Sequence, residues 1–178
     1  FQNWIQIEEI PHSSDKFNHL VMHAGNLIAN YTPDQWDKDQ LYILNGNNWE
    51  TYLPQIRYSF DIQSNGKYMS VASREQVFVI NDTHQIVKEL NRYKFGEEEV
   101  FPISPRSSAV PDNGIIWIAD YANSMVKVSG DQYEPIRLNS PMDNYIYSLS
   151  QSGTDLWVAP GGTKGFEFPR FQRFRNNQ

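Results

Sequence analysis

Apolar and polar residues alternate along most of this chain, in short runs separated by glycine, asparagine and aspartate. The pattern is plainest in "NGIIWIADYANSMVKVSGDQY" at 113–133 and "SGTDLWVAPGGTKGFEFPRF" at 152–171. Each stretch holds a glycine, an alternating run around a tryptophan, a small residue, a polar loop and a second apolar run. Period-two alternation bounded by turn residues predicts β-strands joined as hairpins. Aligning on the glycine brings in two more stretches, "HAGNLIANY" and "SNGKYMSVAS". The four glycines are Gly25, Gly66, Gly114 and Gly153, spaced 41, 48 and 39 residues apart.

Another alternating run lies upstream of three of these glycines ("FNHLVMH", "YSFDIQ", "YIYSLS"); "SSAVPD", before Gly114, matches poorly. Downstream come "LYIL", "VFVI", "MVKV" and "GFEF", and after the first three a turn and a fourth run, "WETYL", "QIVKEL" and "YEPIRL". Each unit reads as four consecutive antiparallel strands. A four-stranded unit recurring about every forty residues predicts an all-β fold of the β-propeller type, because one blade has two apolar faces and cannot bury both alone. A sandwich would account for the strands but not for the recurring glycine. The predicted blades are 17–53, 58–91, 106–138 and 145–178, with 1–10 completing the last, either as a closed four-blade ring or as an excerpt of a longer propeller. Trp117 and Trp157 should occupy equivalent positions, packed between sheets.

Composition narrows the function. The net charge is −6 and the pI about 5.1, whereas nucleic-acid binding needs a basic footprint. The basic cluster Arg170, Arg173 and Arg175 reads as one solvent-facing side of a strand. No apolar run approaches a membrane-spanning length. Phe1 is not an initiator residue, so the lack of a leader carries no information about export. With no cysteine, disulfides, zinc–thiolate sites and cysteine nucleophiles are excluded.

The residues Asp112, Gly114, Trp117, Ile118, Met125 and Val128 carry a resemblance to the repeat of two-component-regulator propellers. Ser124-Met125 stands where that repeat has Gly-Leu. With "LWVAPGG", the phrase more narrowly resembles PorZ-like accessory proteins of the type IX secretion system of Bacteroidetes, which help attach cargo to surface lipopolysaccharide. The match covers about 110–163; "LIANY" and "YMSVAS" keep its spacing without its tryptophan. The resemblance implies an exported protein of the periplasm or cell surface, with a protein partner or cell-surface glycan. The sensor propeller of a hybrid two-component system is the alternative.

No H-E-x-x-H, G-x-S-x-G, Walker A or EF-hand pattern is present. "PGGTKG" at 160–165 lacks the strand–loop–helix context of a phosphate loop. His19 and His23, four apart on a strand, sit about 13 Å from each other, and read as satisfied polar side chains. The sequons at Asn30 and Asn81 are expected to carry nothing in a bacterial protein. The chain is therefore expected to be no enzyme and to need no metal or cofactor. The alternative is a propeller-type lyase or glycoside hydrolase, whose site is assembled from scattered loop residues.

Loops joining a unit's second strand to its third, and one unit to the next, open on one face. Leu27 to Leu41 is 14 residues, against 9 for Tyr68 to Val77 and 9 for Ile116 to Met125. A second insertion, "KFGEEEVFPISPR", joins the second and third units. Long loops on a rigid scaffold concentrate binding. The candidate binding face therefore comprises Asp34, Trp36, Asp37, Asp39, Tyr93, Glu97, Glu98, Glu99 and Phe101, with Arg74, Asp120 and Tyr121 from equivalent loops. Its acidic character points to a cationic, carbohydrate or protein ligand.

Overall fold

The alternating runs fold into four successive antiparallel sheets, one per predicted unit. The computed structural model describes residues 17–31, 39–96, 99–136, 146–160 and 172–175, with no helix among them. The first sheet orders β1 (Phe17–His23), β2 (Asn26–Tyr31), β3 (Gln40–Asn45) and β4 (Asn48–Tyr52). The second orders β5 (Ser59–Ser64), β6 (Tyr68–Ser73), β7 (Val77–Asn81) and β8 (Ile86–Leu90). Next comes a hairpin of β9 (Arg92–Phe95) and β10 (Glu99–Pro102). The third sheet orders β11 (Pro105–Ala109), β12 (Ile116–Asp120), β13 (Ser124–Ser129) and β14 (Gln132–Ile136). The fourth orders β15 (Ile146–Ser152), β16 (Asp155–Pro160) and β17 (Gln172–Arg175). Segment 1–10, expected to complete the last unit, lies outside the described residues.

Two features depart from the local sequence pattern. The poorly matching "SSAVPD" overlaps a true first strand, β11, whose Ser107 and Ser108 are both buried and so break the apolar alternation. The insertion read as a loop contains the β9–β10 hairpin, with Tyr93 opposite Phe101.

The repeated glycine has a backbone cause. Gly25, Gly66, Gly114 and Gly153 turn the first strand into the second with φ of +81°, +91°, +75° and +60°. A methyl group at any of them would meet nothing within 4 Å. Space is therefore not the constraint; the left-handed backbone is, and glycine adopts it at no steric cost. Ser124 also sits at φ +63°, where the resembling repeat has glycine.

Every first strand carries the same irregularity: the register to its second strand slips between Phe17 and His19, Ser59 and Asp61, Pro105 and Ser107, and Ile146 and Ser148. The slip puts His19, Asp61, Ser107 and Ser148 at one equivalent position. These first strands adjoin one another, with Cα atoms of β1 within 8 Å of β5, β5 of β11, and β11 of β15. Side chains at the equivalent position link them. His19 Nε2 bonds the Phe60 carbonyl at 2.9 Å, and its Nδ1 lies 3.7 Å from Asp61. The Ser107 hydroxyl donates to the Asp61 carboxylate and accepts from the Leu149 amide at 3.1 Å. Burial pushes the Asp61 carboxyl above its usual range, against the opposing hydrogen bonds from Ser107 and Gln63.

Three apolar cores lie between consecutive sheets. Ile28 and Leu41 of the first sheet meet Ile62, Met69 and Val71 of the second. Val77 and Val79 meet Ile116, Ile118 and Val126 of the third. Trp117 and Met125 meet Leu149 and Val158 of the fourth. The two terminal sheets differ. Leu20, the register equivalent of the buried Ile62 and Leu149, is 55% exposed, and Met22 58%. Trp117 and Trp157 are equivalent as expected, but Trp157 is not packed between sheets: it is 39% exposed against 6% for Trp117. The fourth sheet covers Trp117, whereas no described sheet covers Trp157, over whose ring the Arg173 guanidinium lies at 5.6 Å.

Ile118 is fully buried at the centre of the core between the second and third sheets. Ile118→Ala should therefore cost about 2–5 kcal/mol, the range for truncating a buried aliphatic side chain, read by chemical denaturation. A loss under about 1 kcal/mol would contradict this packing.

Candidate binding face

The strand directions place the second-to-third-strand loops and the connections between sheets at one end of the stack. Its lining shows this directly: one cleft joins Arg57 and Tyr58 (after the first sheet), Arg74 and Glu75 (between β6 and β7) and Arg92, Pro102 and Ile103 (from the β9–β10 connection).

Of the acidic residues expected to face solvent here, the described ones turn inward. Asp39 is 2% exposed and accepts from Asn30 Nδ2 at 3.0 Å and from the Ser59 amide at 2.9 Å. Asp120 is fully buried. One of its oxygens accepts from the Tyr93 hydroxyl (2.9 Å) and the Ser104 amide (2.7 Å), the other from the Ala122 and Asn123 amides (2.9 and 2.8 Å). Each carboxylate thus holds the backbone where a first strand begins. Tyr93 is also fully buried, and burial with the Asp120 charge pushes its phenol far above the usual value. Phe101 packs against Phe95, centroids 5.3 Å apart, at the margin of the core. Asp34, Trp36, Asp37, Glu97 and Glu98 lie outside the described residues, as does the Glu99 side chain.

Besides Tyr93 and Asp120, which meet in the interior, two residues of the expected set come together at the surface. Arg74 and Tyr121, 47 apart in sequence, line one open cleft of about 460 Å³ with Phe60, Glu75, Ser104 and Arg106. Arg106 sits between two rings, its guanidinium carbon 4.7 Å from the Phe60 centroid and 5.2 Å from that of Tyr121. Arg57, Arg92 and Arg106 were missed. Each stands alone in its own loop or strand start, so no local motif exists. Applying the loop-face rule to every charge, rather than to acidic clusters, would have found them.

The opposite end is polar. A recess of about 300 Å³ is lined by Gln63, Ser64, Asn65, Asp112 and Gln151. His23, fully buried nearby, bonds the Ser64 hydroxyl at 3.1 Å and the Asn81 carbonyl at 2.8 Å. Both histidines of "FNHLVMH" are thus satisfied by the second sheet. No three His, Asp or Glu side chains converge as a metal site among the described residues, and no helix is long and apolar enough to cross a membrane.

No family model and no curated protein matches this chain. Solved structures do. A protein of unknown function from Bacteroides caccae aligns with a TM-score of 0.56 at 14% identity, covering 93% of this chain and 65% of that one. PorZ of Porphyromonas gingivalis, an essential bacterial surface component of the type IX secretion system, aligns with a TM-score of 0.50 at 14% identity, covering 80% of this chain and 24% of that one. The chain has a PorZ-like fold. It spans less than two thirds of either protein.

Two measurements test this geometry. Asp120→Ala leaves several buried donors unsatisfied, at about 1–3 kcal/mol each. It should lower stability by at least about 3 kcal/mol, and Asp120→Asn by less; a near-neutral alanine variant would contradict the clamp. Burial holds His23 below its usual value of 6.5. The unfolded chain takes up a proton there that the folded chain resists, so stability should fall as pH drops below 6.5. Melting temperatures across pH 7.5 to 5 should decline less steeply in His23→Gln, which keeps a donor for the Asn81 carbonyl; parallel slopes would show that another group governs this window.

Proposed function

We propose that the four sheets are successive blades of a β-propeller, and that the chain is a non-enzymatic scaffold of an exported bacterial protein. In this reading it binds a protein or glycan partner through the loop face around Arg74 and Tyr121, as an accessory to type IX secretion and surface attachment. One observation carries it: on a PorZ-like fold, an open cleft with cationic and aromatic lining forms where consecutive sheets meet on the loop face. The blade reading is supported by the sheet order, the shared bulge and the adjoining first strands. The exposed Leu20, Met22 and Trp157 on the terminal sheets favour an excerpt of a longer propeller over a closed four-blade ring, since closure would bury them.

The non-enzymatic reading draws on the first strands. Hydrolysis of a glycosidic bond uses two carboxylates facing each other across the substrate. Asp61 is the single carboxylate on β1, β5, β11 and β15, and it is engaged with Ser107 and Gln63.

Surface exposure tests the cellular part. In intact cells that express it, the full-length protein should be cleaved by added protease and labelled by a membrane-impermeant biotin reagent. Full protection of the protein, with recovery in the cytosolic fraction after spheroplasting, would overturn the reading.

A further inference from the structure

The described clefts of the loop face carry a charge pattern opposite to that of the whole chain. Net charge is −6, yet the clefts of about 570 and 460 Å³ adjoin through Arg74 and Glu75 and, among the described residues, are lined by four arginines, Arg57, Arg74, Arg92 and Arg106, against one carboxylate, Glu75. Ordinary surface chemistry leaves these arginines largely uncompensated. Arg57 Nε and Nη1 donate to the backbone carbonyls of Pro54 (2.9 Å) and Asp39 (3.0 Å), while the Asp39 carboxylate is turned inward. Arg92 Nε donates to the Asn91 side chain at 3.2 Å. Arg74 reaches Glu75 at 3.9 Å with both side chains well exposed, a pairing of little strength in water. Arg106 has two aromatic neighbours and no carboxylate within ion-pair distance among the described residues.

Guanidinium groups gathered on one surface repel one another, and an anion relieves that repulsion. Two of these four are also held in place before any ligand arrives, Arg57 by backbone carbonyls and Arg106 by stacking. Stacking constrains the guanidinium plane and leaves its N–H edge for a planar, bidentate acceptor, the geometry carboxylates supply. We propose that this cleft binds an acidic peptide segment of a partner protein, whose carboxylates pair with Arg74 and Arg106 while apolar side chains rest on Phe60 and Tyr121. The reading rests on the binding role proposed for this face and assigns it a ligand class. Two adjoining compartments suit an extended segment better than a compact ion. A long polyanion is disfavoured, because it would meet Glu75 in the cleft and the negative field of the remaining surface.

The probe is a fluorescein-labelled peptide of alternating glutamate and leucine, its lysine–leucine counterpart, and a sulfated oligosaccharide, each titrated by fluorescence anisotropy against the full chain. The glutamate peptide should bind, the lysine peptide should not, and raising salt should weaken binding. Arg74→Gln and Arg106→Gln should each weaken it about 10- to 100-fold, the effect of losing one charge-assisted hydrogen bond. Arg74 is exposed, so its variant should keep the wild-type melting temperature and the proposal stays testable if Arg106→Gln loosens the fold. Equal binding of the two peptides, or glutamate-peptide binding unchanged in Arg74→Gln, would overturn the proposal. Arginine-dependent binding of the oligosaccharide without the glutamate peptide would also overturn it, while leaving a binding role for this face intact; loss of that wider reading would show instead in the cell-surface experiment.

Discussion

The structure depends on how the free edges of three first strands, β5, β11 and β15, are satisfied. The first strand of each sheet pairs on one side only, which leaves a row of backbone groups that must find partners or water. Here the preceding sheet supplies them through side chains. His19 bonds the Phe60 carbonyl, Ser70 the Ser108 carbonyl at 2.8 Å, Asn65 the Val110 carbonyl at 2.9 Å, and Ser107 the Leu149 amide. His19 and Ser107 stand at the repeated bulge of the first strands, whereas Ser70 lies on β6 and Asn65 in the turn before it. Apolar cores between sheets hold the stack together without direction. The polar contacts along the first strands set its register.

Charge is sorted by the same architecture. The two buried aspartates on the loop side, Asp39 and Asp120, spend every oxygen on amides and polar side chains that position strand starts. An ionised carboxylate is tolerated in such a place because it accepts several hydrogen bonds at once. Arginines take the outer positions, where long stems cover apolar rings and the guanidinium stays wet. Among the described residues the clefts of the loop face are thus lined mainly by cations in a chain that is acidic overall, and Asp39 and Asp120 contribute to that outcome by facing inward.

The first and fourth sheets each leave one face without a described neighbour. Register positions that are buried in the middle sheets carry Leu20 and Trp157 in the open at the ends. Nothing in the local pattern distinguishes these residues from their buried counterparts. Their exposure follows from where the neighbouring sheets lie, and both similar structures are longer than this chain.

Hairpin order and the recurring turn were legible in the sequence, because alternation and a glycine at positive φ are local requirements that each unit must meet by itself. The face on which the loops emerge was legible too, since strand direction alternates by necessity. The β9–β10 hairpin was not, and the serine-bearing β11 followed only from the repeat, because its buried serines break the apolar alternation. Nor was the division of charge. Asp39 and Asp120 look like any loop acids until Ser59, Tyr93 and Ser104 are brought to them from elsewhere in the chain. Arg57, Arg74, Arg92 and Arg106 are isolated residues in sequence and become neighbours only when the second and third sheets stack. Short-range pattern determined which elements form; which polar groups face each other was decided by tertiary contacts, where a buried carboxylate must find its donors and an exposed guanidinium need not.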